Sequence, residues 1–161
     1  MFRTFCMVLV SLFGFSGMPS AGAAEPEVVL TVEGELEGGK PVDFTMAELE
    51  ALGSATIRTT TPWHDGVQTF EGVPMAALMK KVGANGSLLY VVALNDYSSE
   101  VPIADFEEHG VILAYKLNGE YMKVVDKGPL FVMYPFDDKE ELSSELYYTR
   151  AVWQVRKITV E

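Results

Sequence analysis

The chain has 161 residues, is 48% hydrophobic and carries a net charge of −11 at pH 7. This length and hydrophobic content suit one globular domain with a sizeable core. An acidic surface repels nucleic acid phosphates and anionic lipid headgroups, so the charge excludes nucleic acid and membrane surfaces as the main partners.

Residues 1–24 have the pattern of a cleavable secretory signal. Arg3 is their only charge, residues 5–15 form an apolar run, and small residues (AGAA) close the segment. The apolar run is too short to cross a bilayer. We therefore expect cleavage after Ala23 or Ala24 and a periplasmic or secreted protein without a membrane span. An uncleaved N-terminal anchor is the alternative.

The mature domain, residues 25–161, would contain no thiol, because Cys6 is the only cysteine and lies in the predicted leader. This excludes thiolate nucleophiles, thiolate metal ligands and disulfides. Loss of Arg3 takes the net charge from −11 to −12.

Short strands and helices alternate in the first half of the predicted domain. The signals are β-branched runs, a capping box formed by Thr45 and Glu48, and glycines at helix ends. The predicted elements are a strand at 28–32, a helix that opens at Thr45 and ends at Gly53, a strand at 54–61, a loop at 63–66 followed by a short strand through Phe70, and a helix that starts at 73–75 and ends at Gly83.

The second half continues in the same way, which makes the fold class a single α+β domain. Residues 87–94 form a continuous apolar run, typical of a central strand with both faces covered. The other predicted elements are a turn at Asn95 and Asp96, a brief helix from Ile103 that ends by Gly110, a strand at 111–117 that enters a hairpin turn at Asn118 and Gly119, a strand at 129–134, and a last strand at 151–160 with a bulge near Arg156.

The connection at residues 59–66 combines hydroxyl groups, an indole, an imidazole and a carboxylate. We interpret Thr61, Trp63 and His64 as part of a ligand-binding cleft, with Trp63 as a platform and His64 as a donor or titrating group. The alternative is that Trp63 covers the core and His64 is solvated. His64 and His109 are the only histidines and no third ligand has suitable spacing, so we predict no metal site.

Three further clusters supply candidate ligand-binding residues. Asn95 and Tyr97 lie in a polar segment after a buried strand, where such folds place ligand contacts. Lys127 precedes a Gly-Pro pair and could meet an anion as a point charge. Arg150, at the predicted entrance of the last strand, suits a planar anion or a stacked ring. The alternatives are a simple turn, a solvated lysine, and an arginine paired with nearby acids. We assign no catalytic residue.

Four segments carry a resemblance to a known family. They are residues 70–78 (FEGVPMAAL), 113–120 (LAYKLNGE), 128–135 (GPLFVMYP) and 151–158 (AVWQVRKI). In this order and spacing they resemble the oxidoreductase molybdopterin-binding domain family, which implies the sulfite oxidase fold, with mixed sheets and short helices, over nearly the whole mature chain.

The resemblance also implies a molybdenum-ligating cysteine in the loop before the FxGVP segment and a basic cluster for the pterin phosphate. Here that loop reads TTTPWH at residues 59–64 and has no thiol. A threonine hydroxyl is a hard ligand that cannot replace a soft thiolate on molybdenum. Only Lys127 and Arg150 lie where phosphate contacts are expected.

Two main hypotheses follow. The one we favour is an exported, non-catalytic module without a cofactor, which uses the ancestral cofactor cleft for a small-molecule ligand or for a periplasmic or membrane partner protein. The alternative is a molybdopterin-dependent oxidoreductase in which oxygen or a His64 nitrogen replaces sulfur at the metal. A third hypothesis is a structural subunit whose cleft is filled by Trp63 and Tyr97.

Overall fold

The computed structural model describes residues 26–161, and the predicted leader at residues 1–24 lies outside them. Two β-sheets make up most of the fold: the first is mixed and the second is antiparallel throughout. The strands are β1 (Val28–Gly34), β2 (Val42–Thr45), β3 (Ala55–Thr61), β4 (His64–Pro74), β5 (Leu88–Ala93), β6 (Ser98–Pro102), β7 (Ile112–Leu117), β8 (Glu120–Tyr121), β9 (Phe131–Met133) and β10 (Val155–Val160).

The first sheet has the strand order β2-β1-β10-β5-β6. Strands β1 and β10 are parallel, and the other neighbours are antiparallel. The pairing of β10 with β5 shifts register between Val155 and Lys157, which confirms the bulge predicted near Arg156. Strand β5 lies inside the sheet, between β10 and β6. The prediction that both of its faces are covered is wrong, because the Tyr90 side chain is exposed.

The second sheet has the order β3-β4-β7-β8, and β9 also pairs with β7. Strand β4 is long because it continues from the β3 hairpin into the pairing with β7. It begins at His64, so the predicted loop at residues 63–66 is wrong, and only Pro62 and Trp63 lie between the two strands. The two sheets and the short helices confirm the α+β class.

Four short helices connect the strands of the described residues: α1 (Met46–Glu50), α2 (Met75–Val82), α3 (Ala104–His109) and α4 (Glu145–Arg150). Helix α1 starts at the predicted capping box, in which the Thr45 hydroxyl accepts the Glu48 N–H while the Glu48 carboxylate accepts the Thr45 N–H. Helices α2 and α3 end at Gly83 and Gly110 in the left-handed conformation, as expected for helix termini.

Helix α4 is the element that the sequence patterns missed. The predicted strand at 151–160 is therefore too long, since β10 starts only at Val155, after Gln154 with φ of 54°. Arg150 is the last residue of α4 and not the first of a strand. Aromatic and β-branched residues from Tyr147 to Val155 favour a strand locally, and the packing of α4 overrides that preference.

One hydrophobic core holds both sheets together. Helix α2 buries Met75 and Leu78 in it, and the largest buried side chains include Phe70, Tyr115 and Phe131 of the second sheet. No helix among residues 26–161 is long and apolar enough to cross a membrane.

Candidate functional site

The β3–β4 hairpin places the first predicted cluster at the surface of the core. The Thr61 hydroxyl oxygen lies 2.9 Å from Nδ1 of His64 and accepts a hydrogen bond from the Trp63 N–H at 3.3 Å. Burial, and then the charge of Lys127, lower the pKa of His64 below its ordinary value. His64 is therefore a neutral imidazole at pH 7.

A carboxylate from a distant segment fixes the same hairpin. Asp137 accepts the Thr60 N–H at 2.7 Å and the Thr60 hydroxyl at 2.5 Å. The buried Thr59 hydroxyl donates to the Thr60 carbonyl and accepts the Asp137 N–H, each at 3.1 Å. The bonds from Thr60 lower the pKa of Asp137. All three threonine hydroxyls of the hairpin are thus engaged within the protein.

An open cavity of about 350 Å³ lies beside Trp63. It forms where the β3–β4 hairpin, the β5–β6 hairpin and α4 meet, and four of its nine lining residues are aromatic. The lining includes Trp63, Asn95, Tyr97, Glu145, Tyr148 and Trp153. The structure therefore brings together three of the predicted site residues: Trp63, Asn95 and Tyr97.

Hydrogen bonds hold the polar rim of this cavity. The Asn95 side-chain oxygen accepts the Tyr97 N–H at 3.1 Å, and the Tyr97 hydroxyl donates to the Thr149 carbonyl at 3.2 Å. Tyr97 thereby links the β5–β6 hairpin to α4. The turn predicted at Asn95 and Asp96 is confirmed, and the polar segment continues as the edge strand β6.

Two other predicted residues, His64 and Lys127, line a second cavity of about 310 Å³. Trp63 contributes to both cavities and separates them. The ammonium of Lys127 lies 4.6 Å from the centroid of the Trp153 ring, in cation–π geometry. Thr61 lines neither cavity and is hydrogen bonded to His64.

Arg150 does not line the cavity beside Trp63. Its guanidinium donates to Oδ2 of Asp105 at 2.9 Å, and the buried Tyr134 hydroxyl donates to the same oxygen at 2.7 Å. Burial, and then the bond to Asp105, raise the pKa of Tyr134. Arg150 instead borders a larger, more open groove of about 610 Å³ between the β5–β6 hairpin and α4.

One group of potential metal ligands lies elsewhere in residues 26–161 and consists of Glu108, His109 and Glu141. One nitrogen or carboxylate oxygen from each residue lies within 4.8 Å of the others. The Lys139 ammonium lies 3.2 Å from Nδ1 of His109, and the Tyr147 hydroxyl lies 3.3 Å from Nε2. Both ring nitrogens therefore already have partners inside the protein.

The residues predicted for the cleft did not include Glu145, Tyr148 or Trp153, which line the cavity. The available signal was Ser144 followed by Glu145, a combination typical of a helix start. No local pattern indicates that this helix would cover the β3–β4 hairpin, since that contact is made only in the folded domain.

A family model described as the oxidoreductase molybdopterin binding domain matches residues 18–136. The chain belongs to this family and has the sulfite oxidase fold that the resemblance implied. The matched segment contains Trp63, Asn95 and Tyr97 but ends before α4, so the second wall of the cavity lies beyond it.

The fold is similar to that in the crystal structure of the sulfane dehydrogenase SoxCD from Paracoccus pantotrophus. The TM-score is 0.62 at 21% sequence identity, and the match covers 87% of this chain but 40% of that chain. No curated protein matches the sequence.

The side chains of residues 26–161 do not present the donors that a molybdenum cofactor of this family needs. The only cysteine is Cys6, and the hydroxyls of the β3–β4 hairpin are engaged in internal hydrogen bonds. Of the two cations predicted for the pterin phosphate, Arg150 is ion-paired with Asp105 and Lys127 stacks on Trp153. Hard, already bonded hydroxyls are poor substitutes for a soft thiolate.

Proposed function

We propose that this domain is a non-catalytic member of its family and that the aromatic cavity beside Trp63 binds a small ligand. The observation that carries the proposal is the cavity itself, which combines about 350 Å³ of space with four aromatic side chains and a few polar groups. This combination is typical of small-molecule sites, and the volume is near the lower end of their range.

The cavity is preformed, which favours binding because little has to be ordered when a ligand enters. Trp63 packs against Phe131, Phe136, Tyr148 and Trp153 with centroid distances of 5.5–6.1 Å. The opposite wall is held by the hydrogen bond of Tyr97 to α4 and by the ion pair of Arg150 with Asp105.

The first experiment is molybdenum analysis together with fluorescence of released pterin, on protein produced in a host that makes the molybdenum cofactor. We expect neither component, because the hairpin offers hydroxyls where the family's enzymes have a thiolate. Molybdenum near one atom per chain, with pterin, would overturn the proposal in favour of an oxidoreductase with oxygen or His64 ligation.

The second experiment tests the cavity directly. Thr149→Trp should fill the cavity from α4 without removing any of its aromatic walls. Native mass spectrometry of the protein purified from the periplasmic or extracellular fraction should show a small bound molecule in the wild type and none in the variant. Leu146→Trp is the matched control, since Leu146 is exposed on the same helix and borders the other groove. Retention of the bound molecule by Thr149→Trp would show that it binds elsewhere.

We also propose that the protein is exported. The proposal rests on the charge and apolar pattern of residues 1–24, which lie outside the described part of the structure. A periplasmic or membrane protein would then be the available macromolecular partner, and the open groove between the β5–β6 hairpin and α4 is the surface to test for it.

A further inference from the structure

We infer that the ligand of the aromatic cavity is a small organic cation of the quaternary ammonium type. This inference rests on the proposed binding function of the cavity and specifies the chemical class of the ligand. Three observations on residues 26–161 support it: the lining is rich in aromatic rings, it contains one carboxylate without a partner, and the two nearby cationic side chains are not part of it.

The aromatic rings of the lining lie in different planes. The ring planes of Trp63 and Tyr148 are inclined at 76°, and those of Trp63 and Trp153 at 72°. A lining of several rings in different planes offers a ligand ring faces as well as ring edges, and the faces attract cations.

The charged group in the lining is acidic. Glu145 borders the cavity from the first turn of α4, is exposed, and its carboxylate forms no hydrogen bond or ion pair with any other group of residues 26–161. Lys127 and Arg150 are the nearby cations, and neither lines this cavity. An anionic ligand would meet Glu145 without a compensating cation, whereas a cation would gain from it.

One ring of the lining, Trp153, already contacts a cation that lies outside the cavity. The Lys127 ammonium lies over the Trp153 ring, 4.6 Å from its centroid, and Lys127 belongs to the neighbouring cavity that contains His64. Lys127 therefore occupies one face of the Trp153 indole and repels a second cation. We expect the attraction of Glu145 to outweigh this repulsion, because Glu145 lines the cavity and Lys127 does not.

Asn95 supplies the polar contact that such a ligand could use. Its side-chain oxygen is taken by the Tyr97 N–H, so its NH₂ group is the part that remains available as a donor. A ligand with a quaternary ammonium at one end and a hydroxyl or carbonyl oxygen at the other satisfies both features of the lining.

The test compares choline with its neutral isostere 3,3-dimethyl-1-butanol and with the anion 3,3-dimethylbutyrate, by calorimetric titration of the purified protein. We expect choline to bind about tenfold more tightly than the neutral isostere, and the anion to bind more weakly than either. Glu145→Gln should reduce the affinity for choline several-fold and leave that for 3,3-dimethyl-1-butanol unchanged. Glu141→Gln is the control, because Glu141 is exposed and does not line the cavity.

Failure of the inference and failure of the proposed function give different results in this test. Equal binding of choline and the neutral isostere would overturn the cation inference and leave the cavity as a binding site. Tighter binding of the anion, or an effect of Glu145→Gln on both probes alike, would also overturn it. Failure of all three probes to bind the folded protein would count against both the inference and the proposed small-ligand function.

Discussion

Arg150 has a different role in the structure from the one that the sequence indicated. The sequence presents it as a candidate ligand contact, but its guanidinium and the Tyr134 hydroxyl converge on one oxygen of Asp105. The side chains of Arg150 and Asp105 are only 18% and 9% exposed. The pair therefore joins α4 to α3 and holds the wall of the cavity from behind.

Arg150→Met should destabilise the domain by about 3 kcal/mol, because removal of one partner leaves the buried Asp105 carboxylate without its cation. Urea unfolding followed by circular dichroism measures the change. Arg156→Ala is the matched control, since its ion pair with Asp96 is 44% and 81% exposed and should contribute less than about 1 kcal/mol. Addition of Asp105→Asn to Arg150→Met should recover part of the loss, and equal effects of the two arginine variants would contradict the argument.

At the scale of elements, the long strand β4 depends on a close approach to β7. A Cβ atom at Gly72 would lie 2.2 Å from the Leu113 carbonyl oxygen, a backbone atom that cannot move away without breaking the pairing. Gly72 is the glycine of the FxGVP segment, so this part of the family resemblance reports strand packing and not chemistry.

Gly72→Ala should cost about 3 kcal/mol of folding free energy, since the added methyl group forces the two strands apart. Thermal unfolding is the measurement. Gly38→Ala is the control, because a Cβ there meets nothing within 4 Å. A melting temperature of Gly72→Ala equal to that of the control would show that the strands adjust more easily than we expect.

The segment after β9 is connected to the β3–β4 hairpin by hydrogen bonds from Thr60 to the Asp137 carboxylate. Its pKa in the folded protein is lower than its ordinary value of 3.8, so the folded state binds this proton less readily than the unfolded state. The resulting stabilisation is complete above the ordinary pKa and is lost as the pH falls through the folded-state pKa.

Asp137→Ala should therefore lower the melting temperature at pH 7, and its difference from the wild type should shrink as the pH falls below about 4. Asp138→Ala is the control, as this exposed neighbour contributes its backbone N–H to the Pro135 carbonyl. A constant difference between Asp137→Ala and the wild type over the whole pH range would show that the hydrogen bonds do not depend on the charge.

At the scale of the whole molecule, the candidate site exists only where separate parts of the fold meet. One wall comes from the second sheet through Trp63, one from the first sheet through Tyr97, and one from α4 and the chain after it through Tyr148 and Trp153. The common hydrophobic core fixes the distance between these parts. Mutations that loosen either sheet should therefore weaken the proposed ligand binding even far from the cavity.

The proposed export can also be tested on the whole chain. When the protein is expressed with its own N-terminus, we expect to recover it from the periplasmic or extracellular fraction. Its intact mass should be that of a chain that starts at Ala24 or Glu25, because the apolar run of residues 5–15 is too short to remain as an anchor. Fractionation and intact-mass measurement check this. Recovery of the full 17.7 kDa chain from membranes would contradict it.

The sequence by itself determined the local features. The capping box at Thr45, the glycine ends of α2 and α3, and most strands follow from the chemistry of neighbouring residues, and four segments in order identified the family. The absence of a thiol in the predicted mature domain is likewise a property of composition.

Only the tertiary structure decided which candidate residues share a site. Trp63 and Trp153 are far apart in sequence yet 5.5 Å apart between ring centroids, whereas Arg150 is close to Trp153 in sequence and is drawn to Asp105 instead. Helix α4 forms against its strand-like pattern because its side chains pack on the hairpin and on α3. The physical reason is that burial and charge pairing depend on distant partners, which no local pattern contains.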